Sequence, residues 1–195
     1  MSKRENIIIL VLVFVLLIGG ASVLYTQLSK DDAPDGLLIQ GDQENQNDTS
    51  GTDDTKWQLT KAPDFTVYDG SGNKVNLSDY VGKPIGLNFW ASWCGPCQSE
   101  MPDFHEKYLE LGNEIHFLMV NMTGGRETLS SAKAFVSEKG YTFPVFYDTD
   151  SDAAMTYSVY SLPTTYFIDA EGHLIAQATG AVSADTLRRG IEMIK

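Results

Sequence analysis

The distribution of hydrophobic and polar residues divides this chain of 195 residues into four stretches. A polar start over residues 1–6 is followed by an almost wholly apolar run, and residues 26–56 are mostly polar and acidic. From residue 57 onward, short apolar runs of strand length alternate with segments that have helical spacing. The pattern therefore predicts a single folded domain over residues 57–195, preceded by segments of a different character.

The apolar run is long enough to cross a membrane. Its eighteen residues, 7–24, would span about 27 Å as a helix, close to the ~30 Å hydrocarbon core, and Tyr25 suits the interface at its end. A cleaved signal peptide is the alternative, but Ala21-Ser22-Val23 makes a poor cleavage site. We therefore predict a transmembrane helix over residues 7–25.

Charged residues on either side of this helix predict the topology. Lys3 and Arg4 directly precede it, so residues 1–6 are expected to be cytoplasmic. Residues 26–56 are acidic and contain almost no apolar side chains after Ile39, which predicts a flexible linker. We expect a single-pass protein of the cell membrane with its domain on the extracytoplasmic side.

Within the domain, the pattern predicts strands and helices in alternation. A small hairpin over residues 65–77 is turned by Asp69-Gly70-Ser71-Gly72, and a buried strand over 84–90 leads into a helix over about 94–111. Then come a strand, a helix, a strand, a short helix, a hairpin and a last helix, predicted at 115–120, 126–139, 143–147, 152–157, 164–178 and around 187–194. This order predicts an α/β fold with a mixed sheet.

Charge and cysteine content narrow the functional classes. The chain has 14 basic and 26 acidic residues, a formal net charge of −12, which argues against nucleic-acid binding. Two cysteines do not make a cysteine-rich secreted scaffold. The three histidines, His105, His116 and His173, have no paired spacing and are expected to be surface or packing residues.

The segment Trp93-Cys94-Gly95-Pro96-Cys97 carries the candidate chemistry, because it lies where a buried strand is predicted to give way to a helix. A cysteine at a helix N-terminus faces free backbone N–H groups, which stabilise its thiolate. A second cysteine three residues later can reach the same sulfur. A structural disulfide would close too short a loop to stabilise much, and a zinc site would need four ligands. The spacing favours a redox-active dithiol.

The domain resembles the thioredoxin superfamily, in particular its membrane-tethered extracytoplasmic branch that includes TlpA and ResA. The motifs are Ala-Pro-Asp-Phe at 62–65, Asn-Phe-Trp-Ala-Ser-Trp-Cys-Gly-Pro-Cys at 88–97 and Leu-Pro-Thr-Thr-Tyr-Phe-Ile-Asp at 162–169. The inserted stretch 120–157 is also similar to this branch. The resemblance implies a three-layer α/β/α thioredoxin fold with an N-terminal hairpin and a central insertion, preceded by the membrane helix.

The resemblance also implies roles for individual residues. Cys94 would be the exposed nucleophile and Cys97 the resolving thiol, the two forming the redox-active disulfide. Pro163 would be a cis-proline beside the dithiol, and substrate would bind along Trp93, Gly95, Pro96, Leu162 and Pro163. Pro102 matches the kink of the active-site helix.

A carboxyl group is expected near the second thiol. Many thioredoxins have a buried aspartate at the position of Asn88, but an amide cannot take a proton from Cys97. The tethered branch often has a glutamate three residues after the second cysteine, and Glu100 occupies that position. We therefore predict Glu100 as a third catalytic residue, with a solvated surface glutamate as the alternative.

The expected function is reduction of protein disulfides without a bound cofactor or metal. Similar proteins take electrons from a polytopic membrane donor and reduce apocytochrome c or surface oxidoreductases, and we expect a monomer. No Lys, Arg or His lies within residues 90–102, which favours a reductant over a disulfide-forming oxidase. Two further alternatives fit the sequence less well. A peroxiredoxin-like peroxidase would need Thr or Ser at the position of Ala91, and a copper-delivery module would need a longer spacing between its cysteines.

Overall fold

A computed structural model of the chain describes residues 37–39 and 59–195. The predicted cytoplasmic start, the membrane helix at 7–25 and the linker apart from residues 37–39 lie outside the described residues. Within the two described ranges, no helix has both the length and the apolar character that spanning a bilayer requires.

Eight strands of residues 37–39 and 59–195 form one mixed sheet in the order β1-β8-β7-β4-β5-β6-β2-β3. The central strands β4, β5 and β6 run parallel, and the other neighbouring pairs are antiparallel. The strands are β1 Leu37–Ile39, β2 Thr66–Tyr68, β3 Lys74–Asn76, β4 Ile85–Trp90, β5 His116–Asn121, β6 Val145–Tyr147, β7 Thr164–Ile168 and β8 Leu174–Thr179. The thioredoxin-like α/β fold with a mixed sheet is thereby confirmed.

In the described part of the chain, four helices and one 3-10 turn accompany the sheet. The helices are α1 Gly95–Leu111, α2 Leu129–Lys139, α3 Asp152–Thr156 and α4 Ala184–Ile194, and the 3-10 turn is Leu77–Tyr80. Helix α2 begins three residues later than predicted, because the Thr128 side chain caps it by accepting from the Ser131 N–H. It ends at Gly140, whose φ of +69° suits glycine.

The sheet separates two apolar clusters. Phe104 of α1, Ala132 of α2 and Leu187 of α4 belong to the cluster on one face, together with the two cysteines. Ala153 of α3 and Leu77 of the 3-10 turn belong to the cluster on the other face. All six residues of β4 are buried because this strand has packed layers on both faces, as its continuous apolar run predicts.

Residues 37–39, which lie within the predicted linker, form an edge strand. Leu37 pairs with Ala178 of β8, and Leu38 pairs with Gln177. The backbone of β1 satisfies an edge of β8 that would otherwise be open, while Leu37 packs against the core cluster. The surrounding polar and acidic sequence gives no local sign of this strand. The strand forms by pairing with β8, which lies about 140 residues further along the chain.

Candidate active site

Cys94 and Cys97 form a disulfide at the beginning of α1, with their Cα atoms 5.2 Å apart. Cys94 is the N-cap residue of the helix, and its Sγ accepts a hydrogen bond of 3.2 Å from the Cys97 N–H. Cys94 retains 5% exposure, whereas Cys97 has none. Cys94 is thus buried rather than exposed as expected, but it is the more accessible of the two cysteines. Its Sγ lies against a helix N–H donor, which would stabilise its thiolate after reduction.

The residues predicted to bind substrate lie in two segments, one that contains the cysteines and one that directly precedes β7. Trp93, Gly95 and Pro96 are exposed, and Pro96 lies in the first turn of α1. The Leu162–Pro163 peptide bond is cis, as predicted. The register of β4 with β7 pairs Phe89 with Thr164. Pro163 therefore directly precedes β7 at the end of the sheet where β4 ends and the dithiol segment begins.

Glu100 is a buried carboxyl, not a solvated one. Its side chain is 1% exposed, its Oε1 accepts from Asn88 Nδ2 at 2.8 Å, and its Oε2 accepts from the Val182 N–H at 2.8 Å. Burial raises the pKa of Glu100 to about 7, although both hydrogen bonds act to lower it. A group with this pKa can accept or release a proton near neutral pH, which is what the exchange of thiols requires.

Asn88 holds this carboxylate in place, a role that the sequence did not indicate. Its Nδ2 donates to Glu100 and, at 3.0 Å, to Thr165 Oγ1, whereas its Oδ1 has no partner among the described residues. The amide of Asn88 thus links β4, β7 and α1 through one side chain, a connection that local sequence does not indicate.

Glu127 is a second buried carboxylate at the site, and nothing in its sequence context singled it out. Its side chain accepts from the Ser92 N–H, from Ser92 Oγ at 2.9 Å, from Ser131 Oγ and from the Thr128 N–H at 3.2 Å. The residue is 3% exposed. Ser92 lies two residues before Cys94, so Glu127 ties the segment that carries the nucleophile to the start of α2.

Arg126 places a cation against Trp93, although the segment of residues 90–102 contains no basic residue of its own. Its guanidinium carbon is 4.8 Å from the centre of the Trp93 ring, and Trp93 directly precedes Cys94. The sequence window of residues 90–102 contains no basic residue, but the loop after β5 brings one to the site from outside that window.

Two other features of the described residues bear on the alternative functions, the side chain at position 91 and a cluster of possible metal ligands between β7 and β8. Ala91 is buried and offers no hydroxyl at the position where a peroxidase would need one. In the described part of the chain, Asp169, Glu171 and His173 have potential metal-ligand atoms within 4.8 Å of one another. Asp169 Oδ2 and His173 Nδ1 are 3.0 Å apart, so these two residues contact each other across the hairpin turn without a metal ion.

The sequence of the chain is similar to those of known thiol-disulfide oxidoreductases. The model of the AhpC/TSA family matches residues 59–177. Thiol-disulfide oxidoreductase ResA of Geobacillus kaustophilus is 39% identical over 135 residues, which cover 69% of this chain and 76% of that protein. ResA of Bacillus subtilis is 33% identical over 135 residues, covering 69% and 74% of the two chains.

Solved structures of related proteins have the same fold. A Chlorobium tepidum protein described as thiol:disulfide interchange protein DsbE has a TM-score of 0.61 at 31% identity, covering 69% of this chain and 94% of its own. The exposed lipoprotein thioredoxin Etrx1 of Streptococcus pneumoniae has a TM-score of 0.59 at 33% identity, covering 67% and 98%. With its helix-capping dithiol and thioredoxin-like sheet, the chain belongs to the AhpC/TSA family, as a thiol-disulfide oxidoreductase of the ResA and DsbE type.

Proposed function

We propose that the protein is a membrane-tethered reductase of protein disulfides that acts on the extracytoplasmic side. The observation that carries the proposal is the pairing of a dithiol at the start of α1 with the buried carboxyl of Glu100 three residues later. The first supplies two electrons, and the second supplies a proton acceptor near neutral pH.

The reaction proceeds by two exchange steps. The Cys94 thiolate attacks one sulfur of the substrate disulfide, so that a Cys94–substrate bond forms and the other substrate sulfur leaves and takes up a proton. Cys97 then loses its proton and attacks the Cys94 sulfur, which releases the second substrate thiol. The dithiol passes two electrons to the substrate and becomes the Cys94–Cys97 disulfide.

Glu100 serves the second step in this proposal. Cys97 is fully buried, so its proton cannot pass directly to water. Glu100 is one helical turn further along α1 and is about half ionised near pH 7. The ionised carboxyl accepts the Cys97 proton, either directly or through a water molecule, and then returns it to solvent.

The cellular setting is part of the proposal. The apolar run at 7–25 and the basic residues before it support an uncleaved anchor with the domain outside. A dithiol in that compartment needs a dedicated donor, so we propose a polytopic membrane protein as the electron source. Apocytochrome c and surface oxidoreductases are the proposed substrates.

A disulfide-forming oxidase is the second candidate, and Arg126 is the observation that favours it. Its guanidinium lies over the ring of Trp93, the residue before Cys94. A cation that approaches the Cys94 sulfur would stabilise its thiolate, which makes the reduced form more favourable and the disulfide more oxidising. Two carboxylates oppose this effect: Glu100 lies on α1 and Glu127 is bound to Ser92. We therefore retain reduction as the proposed direction.

A trapping experiment in cells tests the proposal. Cys97→Ser cannot resolve the mixed disulfide, so Cys94 should stay attached to substrate, and mass spectrometry of the purified adduct identifies that protein. A Cys94→Ser variant is the matched control and should trap nothing. Adducts in the membrane fraction support the tethered reductase, whereas a soluble product that begins near Ser22 would contradict the anchor.

A further inference from the structure

The turn over residues 123–128, which joins β5 to α2, lies against the segment that carries Cys94. Its ends are closed by two hydrogen bonds, from the Gly124 N–H to the Glu127 carbonyl at 3.0 Å and from the Glu127 N–H to the Gly124 carbonyl at 2.9 Å. Gly125 has a φ of +57°, a conformation that favours glycine. The turn therefore has a defined backbone shape.

Glu127 fastens this turn to the active-site segment from the interior. Its carboxylate accepts both from the backbone N–H and from the hydroxyl of Ser92, and it is also bound by Ser131 of α2. A buried carboxylate with several donors resists displacement, because each lost bond would leave a desolvated polar group unpaired. The position of the turn relative to Cys94 is thus fixed.

The same turn presents Arg126 on the outside. Arg126 is exposed, and its guanidinium lies over the indole of Trp93, at 4.8 Å from the ring centre. Within residues 37–39 and 59–195 the guanidinium has neither an ion-pair partner nor a hydrogen-bonded acceptor. By contrast, Arg188 pairs with Asp185 and Glu192, and Lys195 pairs with Glu114.

An arginine that is stacked on an aromatic ring and has no ion-pair partner among the described residues is well suited to bind a carboxylate. Stacking uses the face of the guanidinium and leaves donors on its edge, which match the two oxygens of a carboxylate. The indole restricts the side chain, so less conformational entropy is lost when the ligand binds.

We propose that Arg126 is a specificity-determining residue, which selects substrate proteins that carry an acidic side chain close to the reactive disulfide. This inference rests on the proposed reduction of protein disulfides. Trp93 immediately precedes the nucleophile, so a carboxylate bound to Arg126 would come from substrate residues adjoining the cysteine that Cys94 attacks. Arg126 acts on binding and orientation and takes no part in the electron transfer.

Single-turnover kinetics with three peptides tests the selection. Each peptide contains one Cys-x-x-Cys disulfide, flanked by Glu, Ser or Lys and otherwise identical. The full-length protein is reduced with dithiothreitol, freed of it, and mixed with each peptide before acid quenching and mass spectrometry. The measured quantities are the rate-constant ratios of the Glu and Lys peptides to the Ser peptide, which separate charge selection from the chemistry.

In Arg126→Gln, the Glu/Ser ratio should fall by about two- to fivefold, the range expected for one exposed ion pair. In Arg126→Glu it should fall further and the Lys/Ser ratio should rise, and both changes should shrink as salt is raised. Lys74→Glu is the matched control, because it changes the net charge equally from the exposed outermost strand β3. Its ratios should change little.

Equal ratios in Arg126→Glu and Lys74→Glu would overturn the inference, since net charge alone would then explain any selectivity. Unchanged ratios in both Arg126 variants would overturn it as well. In these two cases the wild type still reduces the Ser peptide, and the proposed function stands. A wild type that leaves all three peptides oxidised would instead defeat the proposed function, and the inference with it.

Discussion

Glu100→Gln should abolish a pH dependence of folding stability that the buried carboxyl imposes on the wild type. Burial raises the pKa of Glu100 from 4.5 to about 7, despite the hydrogen bonds from Val182 and Asn88. The unfolded chain has the ordinary pKa, so the folded protein binds more protons between pH 4.5 and 7. The stability linked to Glu100 is therefore present below pH 4.5 and is lost as the pH rises through 7.

The size of this effect follows from the pKa difference. A pKa raised from 4.5 to about 7 corresponds to roughly 3 kcal/mol, at about 1.4 kcal/mol per pKa unit. Glutamine suits the same position, since its carbonyl can accept from Val182. Its amide can donate to Asn88 Oδ1, which has no described partner, once the Asn88 amide turns over.

Denaturant unfolding of the oxidised full-length protein in non-ionic detergent measures the effect. The unfolding free energy of Glu100→Gln minus that of the wild type should rise by about 2 to 3 kcal/mol between pH 5 and pH 8. Asp148 also has a pKa raised by burial, but it is present in both proteins and cancels in the difference. Glu106→Gln, on an exposed position of α1, is the control and should show a nearly constant difference. A pH-independent difference for Glu100→Gln would refute the buried, titrating carboxyl.

Three further predictions concern the thiols and the packing around them. In the reduced protein at mildly acidic pH, alkylation followed by peptide mapping should label Cys94 before Cys97, and faster labelling of Cys97 would reverse their roles. Glu127→Ala should lower the unfolding free energy by about 2 kcal/mol or more, because it leaves several donors without an acceptor, and denaturant unfolding checks this loss. Gly190→Ala should lower the unfolding free energy by about 1 to 3 kcal/mol, because the added Cβ would lie 2.2 Å from the Phe167 ring. A melting temperature close to that of the wild type would contradict this packing.

The parts of the fold that local pattern determines were predictable from the sequence. The continuous apolar run of β4 predicted a strand buried on both faces, and the Cys-Gly-Pro-Cys segment predicted the start of α1 to within one residue. The hairpin turn at Asp69 also follows local chemistry, since this side chain accepts from the N–H groups of Ser71 and Asn73.

Features that depend on distant partners were missed. Strand β1 exists because β8 offers an edge, and the Asn88–Glu100 bond depends on the way α1 packs on the sheet. Arg126 lies 33 positions after Trp93 in the chain, and the turn after β5 brings its guanidinium over the Trp93 ring. Each of these contacts joins residues that are at least 12 positions apart, where local periodicity carries no information.

The reduction potential of the Cys94–Cys97 couple tests the proposed direction of electron flow most directly. Equilibration of the full-length protein with glutathione buffers, followed by alkylation of free thiols, measures it. Gly95-Pro96 supplies no cation, and the carboxylates of Glu100 and Glu127 oppose the single exposed charge of Arg126. The account predicts a potential nearer the about −270 mV of thioredoxin than the about −120 mV of DsbA. A value above about −180 mV would contradict the reductase and support the oxidase.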